Sequence, residues 1–474
     1  MRQREPGKRS TRAPIVVAAV GLLVPAWAMA EMPQYQMLDL GTLGGTDSEA
    51  AAINEAGQVT GWAAPASGPN HAFLACAGQP MIDLGTLGGQ ASAGYAINDA
   101  AQITGFAFTG DVGPYHAFLA KVGQRMIDLG TLGGADSHGL AINKAGQVTG
   151  YAYVADAGPF HAFLVGAGRP IVDLGTLGGT NSYGWDINAA GQVTGYAYVA
   201  DAGPFHAFLA SAAQPMTDLG TLGGSQSSGY AINDAGQVTG SAYTADGSYH
   251  AFVASVGQPM MDLGTLGGPT SYGADINDAG QVTGGADVAE DARHAFVAQV
   301  GQPMIDLGTL GGLNSYGAEI NDVGQVTGAA DTGDCCGGSP HAFVVSPGQP
   351  MVDLGTLGGD ESAGVAINDS GQVTGWATTA DGHRHAFLAT PISLLLSRLA
   401  DDVTGVGPGK SLTQKIRSAL AYYEADDRQA TCSMLRGFIE QVNAQQGKKL
   451  GVALARQLVN DARAIRRAIR CGSG

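Results

Sequence analysis

The heptapeptide DLGTLGG at residues 128–134 is one of eight copies that run through most of the chain. The copies begin at equivalent aspartates: Asp39, Asp83, Asp128, Asp173, Asp218, Asp262, Asp306 and Asp353. Each copy is followed by a serine, an Ile-Asn pair, a GQVTG-like segment and a His-Ala-Phe triplet. Successive copies start 44 to 47 residues apart. A period of this length without gaps indicates one supersecondary unit that is repeated eight times.

Each copy contains four short apolar segments separated by turn residues. In the third copy they are MIDL, extended by TLGG, at 126–134, then LAIN at 140–143, QVTGYAY at 147–153 and HAFL at 161–164. Lys144-Ala145-Gly146 predicts a tight hairpin turn, because glycine accepts the left-handed conformation that such a turn needs. Four short strands per period of about 45 residues are typical of a propeller blade.

The predicted fold is an all-β propeller with eight four-stranded blades, and the alternatives are an open solenoid or a seven-bladed ring with one irregular copy. The tight turns join AIN to QVTG and HAF to MxDLG, so a blade is expected to run in that order. The last blade then lacks its outer strand. We expect Gln36 to Leu40 to supply that strand, because joining the two ends of the array removes an exposed sheet edge.

The combination of DLGTLGG, AIN, GQVTG and HAFL resembles the HAF repeat, a family of extracellular bacterial repeats named for the triplet. The resemblance covers about residues 37–390. It implies a secreted, propeller-like array and brings no settled activity.

Residues 391–474 have a different composition from the repeats. Apolar residues recur at helical spacing, as in Leu412, Ile416 and Leu420, and predict three or four amphipathic helices in a small all-α bundle. The segment from Ser411 to Leu450 resembles the FIMAH module, which is found at the ends of secreted bacterial proteins. This resemblance covers about residues 392–470, and the module's function is no better defined than that of the repeats.

Residues 1–30 have the pattern of a secretory signal. Five basic residues precede the apolar run from Ile15 to Val24, and Ala28-Met29-Ala30 is a small-x-small cleavage site. The alternative is an uncleaved anchor, but the run is short for a membrane span of about 20 residues. We therefore expect cleavage after Ala30, no remaining transmembrane segment, and a secreted or periplasmic protein.

Charge is distributed unevenly along the chain. Residues 31–390 contain 33 acidic and 6 basic residues, a net charge of −27, whereas residues 391–474 contain 7 acidic and 13 basic residues, a net of +6. Repeats of this acidity repel phosphate backbones, so the sequence argues against nucleic acid as a partner. Acidity also promotes solubility. The basic bundle is expected either to dock on the acidic ring or to hold anionic envelope material, and salt weakens both.

Five cysteines lie beyond the signal, at positions 76, 335, 336, 432 and 471. Cys432 and Cys471 lie on adjacent predicted helices, so we expect a disulfide between them. Closing a loop of about 40 residues would stabilise the helical bundle by roughly 3–4 kcal/mol. Cys335 and Cys336 lie in the longest loop, where a vicinal disulfide, free thiols or a bond to another chain are all open. Cys76 is expected to be buried and free. The spacing of the cysteines does not suggest zinc.

Repeated polar residues invite a metal or catalytic interpretation. Eight histidines open the triplets: His71, His116, His161, His206, His250, His294, His341 and His385. Because chemistry seldom needs eight identical copies, we expect a polar network in which each histidine bonds to an aspartate or to the backbone. The Asn-Asp-x-Gly turns resemble the start of a calcium loop but lack the remaining ligands, and a hairpin explains them. No catalytic, cofactor or metal residue is predicted.

Any unique site is expected where the copies differ. The NDAG and GQP turns share one rim, here called the turn rim, and are nearly invariant. The loops before the triplets and the TLGG crossings share the other, the loop rim, which collects the differences, and propeller ligands usually meet loops. The candidates there are Cys335 and Cys336 in the 331–340 loop, Arg293, His383, Arg384 and His138. Tyr115, Phe160, Phe205 and Tyr249 either line a sugar-binding rim or cover the loops' own small cores.

The sequence favours an exported non-enzymatic binding or surface (scaffold) protein, whose partner is a glycan, another envelope component or a protein. The alternative is an exported hydrolase or lyase that acts on a polysaccharide or envelope polymer. Binding is favoured because the sequence contains no recognisable nucleophile or isolated acid–base pair, and no cofactor is expected.

Overall fold

A computed structural model describes residues 35–111, 113–156, 158–201, 203–289, 292–333, 338–407 and 410–471. Eight four-stranded antiparallel sheets succeed one another, and four helices follow them. The predicted eight-bladed propeller with a C-terminal helical bundle is therefore confirmed, and the solenoid and seven-bladed alternatives are wrong. The predicted signal at residues 1–30 lies outside the described residues.

The first strand, β1 (Tyr35–Asp39), belongs to the last blade, and blades 1 to 4 follow in chain order. Blade 1 consists of β2 (Gly44–Ile53), β3 (Val59–Pro65), β4 (His71–Ala75) and β5 (Ile82–Asp83), and blade 2 consists of β6 (Ser92–Ile97), β7 (Ile103–Phe108), β8 (Tyr115–Ala120) and β9 (Ile127–Asp128). Blade 3 consists of β10 (Ser137–Ile142), β11 (Gln147–Tyr153), β12 (Phe160–Gly166) and β13 (Val172–Asp173), and blade 4 consists of β14 (Ser182–Ile187), β15 (Gln192–Tyr198), β16 (Phe205–Ser211) and β17 (Gln214–Asp218).

Blades 5 to 8 continue the same order. Blade 5 consists of β18 (Gly223–Ile232), β19 (Val238–Thr244), β20 (Tyr249–Ala254) and β21 (Met261–Asp262), and blade 6 consists of β22 (Ser271–Ile276), β23 (Val282–Ala289), β24 (Ala292–Ala298) and β25 (Ile305–Asp306). Blade 7 consists of β26 (Ser315–Ile320), β27 (Val326–Asp331), β28 (Pro340–Val345) and β29 (Val352–Gly355), and blade 8 contains β30 (Gly358–Ile367), β31 (Val373–Thr379) and β32 (Arg384–Pro391). Strand β1 completes blade 8, whose order is β30, β31, β32, β1.

The two ends of the repeat array meet in blade 8. Strand β1 pairs antiparallel with β32, and Leu38 lies opposite Leu388. The expectation that Gln36 to Leu40 supplies the missing outer strand is confirmed. The ring therefore closes through backbone pairing between the first and the last repeat, which leaves no open end to the array.

A second closure runs around the innermost strands. Each ends at an asparagine whose side-chain amide donates to the backbone carbonyl of the equivalent asparagine in the next blade, over 2.9 to 3.1 Å. The series starts at Asn54 and returns to it from Asn368, whose Nδ2 lies 3.0 Å from the carbonyl oxygen of Asn54. The repeated AIN motif thus forms a circular chain of eight buried hydrogen bonds.

Most of the heptapeptide is a crossing between blades, as expected for TLGG, and the outer strand does not extend into it as its apolar residues suggested. The outer strand of the third copy stops at Asp128, whose Oδ1 accepts a hydrogen bond from the backbone N–H of Gly130 at 2.7 Å. Gly130 and Gly133 have φ of 77° and 113°, which turns the chain towards the next blade. The Oγ of Ser137 then donates to the carbonyl of Gly130 at 2.6 Å and fixes the next inner strand.

The core between blades is built from the triplets. Their phenylalanines are all fully buried: Phe73, Phe118, Phe163, Phe208, Phe252, Phe296, Phe343 and Phe387. In blade 2, for example, Phe118 packs in one cluster with Ile103 and Ala107 of the preceding strand and with Ala72 of blade 1. Burial of a phenylalanine contributes about 1.5–3 kcal/mol, so the triplet supplies much of the cohesion of the ring.

Four helices follow β32: α1 (Ile392–Asp402), α2 (Ser411–Glu424), α3 (Arg428–Gln445) and α4 (Val452–Ala468). They share one apolar core, which includes Leu396, Phe438 and Leu458. A disulfide joins Cys432 to Cys471, with their Cα atoms 5.6 Å apart. It ties the end of α4 to α3.

Three further observations concern expectations from the sequence. The Nη2 of Arg398 donates to the Oε1 of Gln372 at 2.9 Å, so the bundle contacts blade 8 of the ring. Cys76 is a free cysteine, but it is half-buried rather than buried, because it lies just beyond β4 at the turn rim. Among the described residues, the search for a helix long and apolar enough to span a membrane finds none.

Candidate ligand-binding cleft

The eight triplet histidines occupy equivalent structural positions. In each blade the histidine Nδ1 lies 2.8 to 2.9 Å from a carboxylate oxygen of the DLG aspartate on the neighbouring outer strand. In blade 8 this partner is Asp39, supplied by β1. The pairs join the third and fourth strands of every blade, which supports the structural interpretation of these histidines.

One cross-strand position distinguishes the blades near the loop rim. The residue after the serine of the first strand faces the residue after VTG of the second. Blade 3 has His138 opposite Tyr151, and blade 4 has Tyr183 opposite Tyr196. Blade 5 instead has Ser228 opposite Ser241, and blade 6 has Tyr272 opposite Gly285.

In blades 2 to 4 this position is filled by rings that touch across blade boundaries. Phe106 and His138 have ring centroids 5.1 Å apart, and Tyr151 and Tyr183 are 4.8 Å apart. Tyr183 continues to Tyr196 at 4.7 Å. The result is an aromatic cluster that fills the loop-rim side of three consecutive blades.

The small residues of blades 5 and 6 interrupt this cluster and open a cavity of about 640 Å³, here called the blade-5 cleft. Its lining residues are Phe205, Gln226, Ser227, Ser228, Tyr230, Ser241, Tyr243, Tyr249, Tyr272, Ala274 and Arg293. A volume of this size is within the usual range for small-ligand sites. Because the flanking blades share the same backbone plan, the cleft is a consequence of side-chain size.

Arg293 is held in the blade-5 cleft by three neighbours. Its Nε donates to the Oδ1 of Asp287 at 2.7 Å, and its Nη2 donates to the Oγ1 of Thr270 at 3.0 Å and to the hydroxyl of Tyr249 at 3.3 Å. Thr270 also donates to the other carboxylate oxygen of Asp287. Burial alone raises the pKa of Asp287, but the bonds from Arg293 and Thr270 outweigh it and lower that pKa. The guanidinium is thus fixed and charged.

Gly285 permits the position of Arg293. The guanidinium carbon lies over the ring of Tyr272, 5.7 Å from its centroid. A Cβ on Gly285 would lie 2.9 Å from Cε1 of Tyr272 and 3.0 Å from Cδ of Arg293. Any larger residue therefore displaces one member of the stack. Burial raises the pKa of the Tyr272 phenol, which consequently stays protonated.

The remaining walls combine flat apolar surface with hydroxyl groups. Tyr230 and Tyr243 are each 38 % exposed, and the Tyr230 hydroxyl lies 3.1 Å from the Oγ of Ser241. Such a surface can stack against the apolar face of a ring and exchange hydrogen bonds with its edge.

The other sequence candidates are distributed around the rim. His383 and Arg384 lie before the blade 8 triplet and contact Asp47 at 3.4 Å and Glu49 at 3.1 Å, across the boundary with blade 1. They are not brought together with Arg293. Cys335 and Cys336 lie outside the described residues.

The aromatic candidates divide between two environments. Phe205 and Tyr249 line the blade-5 cleft, whereas Tyr115 and Phe160 pack within the aromatic cluster. His138 also belongs to that cluster, and its burial lowers the pKa of the imidazole to about 4.

Three carboxylates that line the central channel were not recognised from the sequence. Asp186, Asp275 and Glu319 precede the Ile-Asn pair of their blades, where the other copies have alanine. Each carboxylate accepts a hydrogen bond from a backbone N–H of the next blade, as Asp275 does from Ile320 at 2.9 Å. Although these side chains stay partly open to the channel, burial raises the pKa of Asp275 to about 6 and that of Glu319 well above its usual value. A metal-binding group of His, Cys, Asp or Glu is not found among the described residues.

Solved structures of other proteins include chains of similar fold. No protein-family model matches the chain, and no curated protein does. The crystal structure of TolB from Acinetobacter baumannii matches with a TM-score of 0.33 and 9 % sequence identity, over 52 % of this chain and 64 % of the TolB chain. The match spans less than two thirds of that protein. The resemblances to the HAF repeat and to the FIMAH module stay predictions.

Proposed function

We propose that the chain is an extracytoplasmic, non-enzymatic binding protein that holds a saccharide in the blade-5 cleft. The observation that carries this proposal is the replacement of an aromatic pair by Ser228 and Ser241 beside the fixed stack of Arg293 on Tyr272. In blades 2 to 4, aromatic rings fill the equivalent cross-strand position. A cavity and a fixed polar group therefore occur together where the copies depart from their pattern.

A saccharide fits the chemistry of the walls. One face of a sugar ring is apolar and stacks on tyrosine or phenylalanine, which Tyr230, Tyr243 and Phe205 offer. Its hydroxyls both donate and accept, and so do the hydroxyls of Ser228 and Ser241. The Nη1 of Arg293 is not used by Asp287, Thr270 or Tyr249, so its two N–H groups remain as donors for ligand oxygens. Because its charge is already paired with Asp287, the cleft does not require an anionic sugar.

The location proposed for the protein is supported by the signal-like pattern of residues 1–30 and by the disulfide between Cys432 and Cys471, because disulfides persist in oxidising compartments. Residues 31–474 are therefore the form to test.

The experiment is a screen of residues 31–474 on a glycan array, followed by calorimetric titration of the best soluble oligosaccharide. We expect Tyr272→Ala and Arg293→Ala each to weaken the affinity about 10- to 100-fold, since such contacts contribute about 1.5–3 kcal/mol. Arg384→Ala is the matched control, because Arg384 holds the equivalent position in blade 8 and stacks on Trp376 at 4.0 Å outside the cleft.

Three results would overturn the proposal. One is glycan binding that Arg384→Ala weakens as much as Arg293→Ala does. The other is turnover of the bound polymer by the purified protein, which would favour the hydrolase or lyase alternative. An array on which no saccharide is retained would also contradict it.

A further inference from the structure

The outer face of α4 presents a row of arginines. Arg456, Arg463 and Arg467 are all exposed. With 3.6 residues per turn, they lie within about 40° of one another around the helix axis and extend over about 16 Å. The residue between them on this face is Asn460, which is exposed and uncharged. Asp461, the one acidic residue of α4, is half-buried and lies away from the row.

This row is carried by a rigid support. The opposite face of α4 is buried in the bundle core through residues such as Leu458 and Ile465. The disulfide from Cys432 to Cys471 fixes the end of the helix. Among the described residues, none of the three arginine side chains has an ion-pair or hydrogen-bond partner. Three guanidinium groups are therefore aligned, solvated and available.

We propose that this face of α4 binds a linear acidic polysaccharide. A guanidinium forms paired hydrogen bonds with carboxylate or sulfate oxygens, and a straight row of guanidinium groups matches a polymer that carries such groups along one chain. The site is independent of the blade-5 cleft and lies in a different part of the molecule.

The charge distribution favours a flexible polymer over the other anionic partners. The repeats carry a net charge of −27, so a rigid duplex or an anionic membrane plane that approaches the bundle is also repelled by the propeller. A flexible chain can follow α4 and avoid that field. The row contains no aromatic residue that could stack single-stranded nucleic acid, and Val452, one turn before Arg456, is the one exposed large apolar residue of α4, which is too few for insertion into a membrane.

The test uses residues 31–474 and three immobilised polymers: polygalacturonate, dextran sulfate and neutral dextran. We expect binding to one or both acidic polymers and none to dextran. With three contacts, raising NaCl from about 50 to about 200 mM is expected to weaken binding about 20- to 40-fold through counterion release. Retention of only the carboxylated or only the sulfated polymer identifies the acid group.

Two variants with the same change in net charge distinguish binding at the arginine row from non-specific electrostatic attraction to the bundle. The triple variant Arg456→Glu, Arg463→Glu, Arg467→Glu is expected to lose at least about 30-fold in affinity. The control Arg417→Glu, Arg436→Glu, Lys449→Glu alters three exposed basic residues outside α4 and is expected to lose less than about threefold. Circular dichroism and the intact disulfide verify folding in both.

Several outcomes would overturn this inference. They are equal losses in the two triple variants, no binding to either acidic polymer at low salt, or stronger binding to phosphatidylglycerol vesicles or to single-stranded DNA. Salt-sensitive self-association in sedimentation that only the α4 variant abolishes would instead assign the row to a second copy of the chain.

Discussion

Blades 4 and 5 are neighbours with the same strand order and nearly the same sequence, yet their loop-rim sides differ. In blade 4, Tyr183 and Tyr196 pack with Phe205 and the rings of blade 3. In blade 5, Ser228 and Ser241 hold the same positions and leave an open cavity. The repeated motif therefore determines the ring, whereas single-copy changes on that ring create the candidate site.

The largest effect on stability is expected when a tyrosine ring is removed from the aromatic cluster, compared with removal of a ring from the blade-5 cleft. Tyr183→Ala takes away contacts with Tyr151, Phe160 and Tyr196 and is expected to destabilise the protein by about 3 kcal/mol. Tyr272→Ala, at the equivalent position in blade 6, faces the cleft and is expected to cost about 1–2 kcal/mol. Denaturant titration measures both, and equal losses would contradict the distinction between filled and open blades.

The central channel offers a second contrast, between blades with a carboxylate and blades with alanine. Because the pKa of Asp275 is raised to about 6, ionisation disfavours the folded state, and stability should rise as the pH falls through about 6. Asp275→Asn keeps an acceptor for the N–H of Ile320 and removes the charge. We expect a gain of about 1–2 kcal/mol near pH 7 and a weaker pH dependence. A loss of stability at neutral pH would show that the carboxylate is needed as an anion.

His138 is the member of the aromatic cluster that titrates in the acidic range. His138 has a folded-state pKa of about 4, below its ordinary value, so acid protonates the unfolded chain first and stability falls as the pH drops from about 6.5 towards 4. The expected loss is about 1 kcal/mol, and His138→Tyr, which copies Tyr183 of blade 4, should remove it. Thermal unfolding of both proteins at several pH values measures this difference; an unchanged pH profile in the variant would exclude His138 as its source.

The smallest effect is expected at the ring closure. Arg384 is 47 % exposed, pairs with Glu49 and stacks on Trp376. Arg384→Ala should cost about 0.5–1 kcal/mol, since closure depends on the pairing of β1 with β32 and not on this side chain. A loss of several kcal/mol in denaturant titration would show that this ion pair and stack are essential to closure.

The sequence predicted the features that repeat. Eight copies, hairpin turns and an incomplete last blade were sufficient to predict blade number, strand order and the role of Gln36 to Leu40, because each follows from local turn chemistry and from the need to pair an edge. The TLGG crossing was also expected, but the outer strand before it was extended too far, since the end of that strand depends on a side-chain cap by Asp128.

The blade-5 cleft was only partly predictable. Arg293 stood out as a departure from the repeat near the loop rim, and Phe205 and Tyr249 stood out as aromatic residues that precede their triplets. The small residues Ser241 and Gly285 also depart from the aromatic residues of the neighbouring blades. A small side chain predicts a cavity only when the residue opposite it on the next strand is known, and the sequence does not give that pairing. The channel carboxylates were missed for a similar reason, because the position before Ile-Asn faces the channel only in the closed ring.

The most direct measurement is the saccharide affinity of the double variant Ser228→Tyr, Ser241→Tyr, which rebuilds the blade 4 pair in blade 5. Because Tyr183 and Tyr196 fit the same backbone plan, we expect the variant to fold with unchanged or slightly higher stability. Titration with the oligosaccharide selected on the array should show affinity lowered at least about 100-fold, since the new rings fill the cavity. A folded double variant that binds the saccharide as tightly as the original protein would contradict the assignment of the site to the blade-5 cleft.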